Sequence, residues 1–338
     1  MRLILACLCI STALSGVRAT SRAPTAMSPD TGRVPVPGSS LYYESAGSGS
    51  TVILLHGGNL DRRMWDAEFA ALERTHRVIR YDARGFGRSG PADTAFSAHH
   101  DLLALMDALQ LRRASLAGLS LGGRIAIDFA LAHPDRVDRL VLAAPGISGG
   151  TWADDGDTLW LNAARAAAQR HDSVAVARAW LQSAYIRTAL RDSAMARRVR
   201  TWARDQLPFW AGIMRHQDVE VEANPPAADR LAELRAPILL IVGMEDTAFI
   251  HDVARAIEAQ APDVRRVDIP GAGHMVNLEA PAAFLRAVTG FLADSRRDAH
   301  FVRGASQGVV RPGQPTRRFG VRYCIRSHTA EYPASRHV

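Results

Sequence analysis

A chain of 338 residues with 47% apolar side chains is long enough to bury a sizeable core, in one large domain or two small ones, and has the composition of a soluble globular protein. Its formal charge of +7 lies entirely in the last stretch, where residues 296–338 carry nine Arg against Asp298 and Glu331, leaving 32 basic and 32 acidic residues in the remainder. That distribution argues against a nucleic-acid or anionic-surface partner for the main body. The cysteines are Cys7, Cys9 and Cys324. With none between Ser11 and Tyr323, the main body holds neither a disulfide nor a thiolate metal site.

Residues 1–19 read as a secretory leader, with Arg2 before the apolar run Leu3–Leu14 and the small-residue cleavage site Val17-Arg18-Ala19. The run is too short to span a bilayer, so the mature chain is expected to have no stable membrane span. A used leader implies a secreted or periplasmic protein, whereas a true start at Met27 implies a cytoplasmic one. Lipid attachment at Cys7 or Cys9 is a third reading. Residues 20–32, rich in Ser, Pro and Thr, are expected to be linker.

Two short strands, Val34–Val36 and Leu41–Glu44, follow, separated by the turn Pro37-Gly38. Thr51–Leu55 is a continuous apolar, β-branched run, as expected of a strand buried on both faces. It leads into His56-Gly57-Gly58-Asn59. A helix is expected over Arg62–Arg74, a strand over Arg77–Tyr81 and a glycine-rich loop over Asp82–Gly90. The spacing of apolar residues predicts a further helix over Phe96–Gln110. Ala114–Ala117 reads as a buried strand, Gly123–His133 as a helix and Arg139–Ala144 as another strand. This alternation predicts an α/β fold with a mostly parallel central sheet and helices on both faces.

The alternation stops over 146–235, a stretch rich in Ala, Arg and Trp that reads as helices only and contains Trp152, Trp160, Trp180, Trp202 and Trp210. It resumes with strand Pro237–Val242, helix Val253–Gln260, strand Val264–Ile269 and helix Pro281–Ala293. The core is therefore expected over 33–145 and 236–295, interrupted by a helical cap over 146–235. Residues 296–338, apolar-poor and basic, are expected to be disordered.

Between the strand at Ala114 and the helix at Gly123 lies Gly118-Leu119-Ser120-Leu121-Gly122, a G-x-S-x-G pattern. A sharp strand-to-helix turn needs glycine where a Cβ would clash, and it lifts the serine hydroxyl clear of the sheet toward a helix N-terminus. A plain glycine turn has the same composition, so the flanking elements carry the inference. A serine hydroxyl is a poor nucleophile unless a base takes its proton, and the base needs an orienting acid. Asp246 and His274 each follow a late strand, and carboxyl ends of parallel strands are where ligands collect. Asp after a strand is also a common turn or capping residue, with Glu245 as the adjacent alternative, and a loop histidine can simply be satisfied locally.

From about Arg33 to Asp294 the chain resembles the α/β-hydrolase fold superfamily, in particular its small capped esterase, enol-lactonase and perhydrolase-like members. The matching pieces are His56-Gly57-Gly58, Asp82-Ala-Arg-Gly-Phe-Gly-Arg-Ser89, Gly118–Gly122, Asp246 and Gly273-His274. The resemblance implies a cap after the sixth strand and a catalytic set of Ser120, Asp246 and His274. It also implies two oxyanion donors, the Gly58 and Leu121 backbone N–H groups. His56 is expected to brace the oxyanion loop, Asp82 and Arg84 to fix the glycine-rich loop, and His133 to end its helix against the dipole. The tryptophans either line an apolar acyl pocket or pack the cap. No His/Asp/Glu spacing suggests a metal and no cofactor is expected.

The reaction implied is hydrolysis of a small ester or lactone through an acyl-enzyme. Acyl transfer or perhydrolysis by the same triad, and a receptor-like ligand-binding role, are the alternatives. Serine rather than aspartate at the elbow argues against dehalogenase and epoxide-hydrolase chemistry.

Overall fold

The computed structural model describes residues 29–150, 158–207 and 219–294. The expected leader, most of the linker, Trp152, Trp210 and the basic tail lie outside these residues. Eight strands form one sheet: β1 (Asp30–Val36), β2 (Ser39–Ala46), β3 (Thr51–Leu55), β4 (Arg77–Tyr81), β5 (Ala114–Leu119), β6 (Val137–Ala143), β7 (Ile238–Gly243) and β8 (Val264–Ile269). Their spatial order is β1-β2-β4-β3-β5-β6-β7-β8. β1 and β2 form an antiparallel hairpin, and β2, the one strand of reversed direction, pairs antiparallel with β4; every later pairing is parallel.

The sequence pattern explains which strands sit centrally. Along β3, Val52 and Leu54 belong to one buried cluster while Ile53 and Leu55 belong to another. β7 divides in the same way, Leu239 and Ile241 against Ile238, Leu240 and Val242. Successive side chains point to opposite faces, so a strand apolar at every position needs a helical layer on each side. One layer holds α2 (Ala98–Ala108), α3 (Leu121–Ala132) and α7 (Ala248–Gln260). The other holds α1 (Asp66–Leu72) and α9 (Pro281–Leu292).

The first strand reaches back to Asp30, so residues 30–32 belong to it rather than to the linker expected over 20–32. Asp30, Thr31 and Gly32 pair with Ser45, Glu44 and Tyr43 on an edge where the outer side chains face solvent. Such a polar edge strand has no apolar signature to read. Between β6 and β7 the described residues form three α-helices, α4 (Thr158–Gln169), α5 (Ser173–Trp180) and α6 (Ser193–Asp205), with short 3-10 turns. Their apolar faces, including Val176, Trp180, Val199 and Trp202, join the same buried cluster as α1 and α9. His133 does end α3. Burial, with help from His100 and Arg136, pushes its pKa down.

One buried group works against the fold. Glu68, on α1, is 1% exposed. Burial pushes its carboxyl up to about 7, opposed by the Asn277 side chain and Arg198. The folded protein therefore binds a proton that the unfolded chain has lost between about pH 4.5 and 7. Stability falls as pH rises through that window, by about 3 kcal/mol once the carboxylate is forced to ionise. Glu68→Gln should raise the unfolding free energy at pH 8 and leave it little changed at pH 5, measured by urea unfolding at the two values.

Candidate active site

Ser120 occupies the turn between β5 and α3, with φ +53° and ψ −113°. This conformation costs a serine about 1–3 kcal/mol. Three backbone hydrogen bonds hold it: Ser120 N–H donates to Ala143 O at 3.1 Å, and Ser120 O accepts from Arg124 and Gly146, each at 3.0 Å. The glycines around it are demanded by backbone contact. A Cβ at Gly118 would lie 2.2 Å from Gly122 O, and one at Gly122 would lie 2.1 Å from Leu55 O. The helix begins at Leu121, directly after the serine and two residues earlier than its apolar spacing indicates. First-turn N–H groups have no intrahelical partner, so the Leu121 amide is available at the helix mouth.

The acidic and basic residues meet at the same edge of the sheet. Asp246 follows β7 and His274 follows β8, and His274 Nδ1 lies 3.0 and 3.2 Å from the two Asp246 carboxylate oxygens. The Asp246 side chain is wholly buried and that of His274 is 7% exposed. A ring nitrogen facing an ionised carboxylate carries the proton, which leaves Nε2 as the acceptor. Gly243 permits the approach, because a Cβ there would lie 2.2 Å from Gly273 O. Glu245, the alternative acid, instead pairs with Arg191.

Two residues at this edge were not legible in the sequence. Tyr185, from a 3-10 turn before α6, sets its ring 4.6 Å from that of His274, centroid to centroid. Glu279, at the end of the short helix α8 (Val276–Glu279), accepts hydrogen bonds from the Gly273 and Met275 amides. Burial raises its pKa, and so does the Asp246 charge, while the two amides and His274 hold it down. The only signal either offered was position: one in a helical insertion, the other five residues past the histidine.

The loop after β3 completes the edge. His56 Nε2 accepts from Ala83 N–H at 2.9 Å, so Nδ1 carries the proton and donates to Gly57 O at 2.8 Å. His56 therefore braces this loop, as expected. A Cβ at Gly58 would lie 3.9 Å from Leu121 Cβ, which sets the two glycine-rich turns side by side. Asp82 accepts from the Arg62 and Arg88 amides at 2.8 Å each, and Arg84 grips Asp101 at 2.7 and 2.9 Å, fixing the next loop.

A cavity of about 230 Å³ opens between these loops and the helical segment. Ser120, His274 and Gly58 line it, together with Trp160, Trp180 and Tyr185. Asp246 stands behind His274 and does not reach the cavity wall. Of the tryptophans, Trp202 packs in the core instead. No Asp, Glu or Arg is among the cavity's described lining residues, and no group of three or more His, Cys, Asp or Glu among the described residues could hold a metal ion.

The chain belongs to the alpha/beta hydrolase fold family, whose model matches residues 50–281. It is 31% identical to a hydrolase from Pseudomonas aeruginosa PA01 of known crystal structure, with 78% of this chain and 98% of that one covered and a TM-score of 0.64. The enol-lactonase from Burkholderia xenovorans LB400 superposes with the same TM-score at 26% identity, over 78% of this chain and all of the other. Among curated relatives, the 2-hydroxy-6-oxononadienedioate/2-hydroxy-6-oxononatrienedioate hydrolase of Paraburkholderia xenovorans (strain LB400) is 29% identical over 75% of this chain and 90% of its own.

The glycine contacts can be tested by contrast. Gly122→Ala should cost about 2 kcal/mol or more, because the new methyl group meets a backbone carbonyl that cannot yield. Gly290→Ala, in α9 with nothing within 4 Å of the added carbon, should gain about 0.5–1 kcal/mol from helix propensity. Urea unfolding of the two variants checks both signs.

Proposed function

We propose that the protein is a serine hydrolase that cleaves a small ester or lactone through an acyl-enzyme. The observation that carries this reading is the pairing of His274 Nδ1 with a wholly buried Asp246, on a ring that shares a cavity wall with Ser120. In this reading His274 Nε2 takes the Ser120 hydroxyl proton as Oγ attacks the substrate carbonyl. The oxyanion is received by the Gly58 and Leu121 N–H groups, and Asp246 stabilises the imidazolium that forms. Collapse expels the alcohol oxygen, which takes the proton back from Nε2. Water, activated by the same nitrogen, then releases the acid and restores the serine. In a lactone the acid and the alcohol remain one molecule.

The relatives support the substrate class, since a hydrolase, an enol-lactonase and an esterase are among the matched proteins. The aromatic lining and modest volume of the cavity favour a small, largely apolar acyl group.

Turnover is the test. The purified protein should release p-nitrophenol from short acyl esters over many cycles; a receptor-like binder would stop after one slow acylation. Ser120→Ala should abolish turnover, by about 10⁴-fold or more, without altering circular dichroism or Tm. Asp246→Asn should cost a comparable factor by favouring the wrong tautomer of His274. Undiminished activity in Ser120→Ala would remove the elbow from the mechanism.

A further inference from the structure

Beside the His274 loop lies a second cavity of about 250 Å³, which shares no lining residue with the first. Thr188, Arg191, Asp192, Gly271 and Glu279 are among its lining residues. Glu279 also bonds to the loop. Its two carboxylate oxygens accept separately from the amides that flank the histidine: Oε2 from Gly273 N–H, and Oε1 from Met275 N–H at 3.3 Å. Thr188 closes on the same backbone, since a Cβ at Gly273 would lie 2.7 Å from Thr188 Oγ1 and 3.4 Å from Glu279 Oε2. The backbone carrying His274 is thus held by Glu279 at both flanking amides and packed by Thr188 at Gly273.

We propose that Glu279, in its ionised form, is the positioning residue for the catalytic base, and that protonation of its carboxylate releases the His274 loop. The proposal rests on the serine-hydrolase reading above. Two divergent amides are best met by two charged acceptor oxygens. A carboxamide turns an NH2 donor toward one of the N–H groups, and protonation replaces one charged oxygen by a neutral hydroxyl, a weaker acceptor. Losing one amide contact leaves the ring free to swing on its Asp246 bond, and misplacement of a reacting group by about 1 Å costs on the order of 100-fold in rate.

The surroundings set when this happens. The groups facing Glu279 are Asp246 and His274, with Arg191 and Asp192 across the second cavity and Arg191 already paired to Glu245. Burial and the Asp246 charge raise its pKa above the ordinary Glu value. The second cavity gives the carboxyl a route to solvent protons. Protonation of Glu279 then adds a second loss of activity as pH falls, beyond that of the general base.

The test is a pH profile of kcat/KM for hydrolysis of a short p-nitrophenyl ester by the full-length protein, over the range where circular dichroism shows the fold retained. Wild type should show an acid limb whose slope steepens from one toward two. Glu279→Gln should keep KM within about twofold, lose about 10- to 100-fold in kcat, and show an acid limb of slope one. A Glu279→Gln protein with wild-type kcat overturns the proposal. So does a wild-type acid limb that stays at slope one throughout, a result that needs no variant to fold. Labelling by a fluorophosphonate keeps the two readings apart. Wild type labelled at Ser120, with Ser120→Ala unlabelled, supports the serine mechanism whatever Glu279 does.

Discussion

The structure depends on backbone meeting backbone at the carboxyl edge of the sheet. Gly122 rides on the Leu55 carbonyl, and Gly243 rides on those of Gly273 and Ala272, at separations that no side chain could occupy. The first contact lets α3 start directly over the sheet, so that the Ser120 hydroxyl and the Leu121 amide stand at one point. The second brings the loop of Asp246 against the loop of His274. Neither contact is stabilising in itself, because glycine forfeits chain entropy and buries no side chain. They are tolerated because the parallel strands beneath, buried on both faces, supply a rigid apolar support for loops that have little stability of their own.

Three carboxylates lie around the His274 segment, and they behave differently because their partners differ. Asp246 is wholly buried yet faces the imidazole Nδ1 and the Thr247 amide at 2.7 Å. Glu279 has two amides and stays partly open to a cavity, so its pKa rises but its charge has a use. Glu68 is as deeply buried as Asp246, but its neighbour Asn277 gives a contact of only 3.5 Å, and burial dominates. A buried charge is tolerated in proportion to the donors aimed at it.

The central elements were legible because their signals are local. Thr51–Leu55, Arg77–Tyr81 and Val264–Ile269 coincide with the strands read from the sequence, since short apolar runs between turn residues have few other uses in a soluble chain. Ser120, Asp246 and His274 could be nominated because each sits at a strand end, and Gly58 because it follows His56-Gly57. What was not legible is whatever depends on contact across the fold. The edge residues Asp30–Gly32 are polar and gain their strand conformation only from pairing with β2. Glu279 and Tyr185 are ordinary residues until the loop after β8 is folded against them.

The segment between β6 and β7 is more than a cover. Its apolar faces belong to the same buried cluster as α1, α9 and the sheet, so it is held by the fold's own core rather than by a separate one. From it come Trp160 and Trp180 for the cavity wall, but also Tyr185 against the His274 ring and Thr188 against Gly273. The elements that shape the cavity therefore also set where the histidine sits. Under the proposed mechanism, a change in the helical segment that enlarges the cavity also loosens the support of the base. Under that mechanism, recognition and proton transfer are coupled through packing, with Tyr185 common to both.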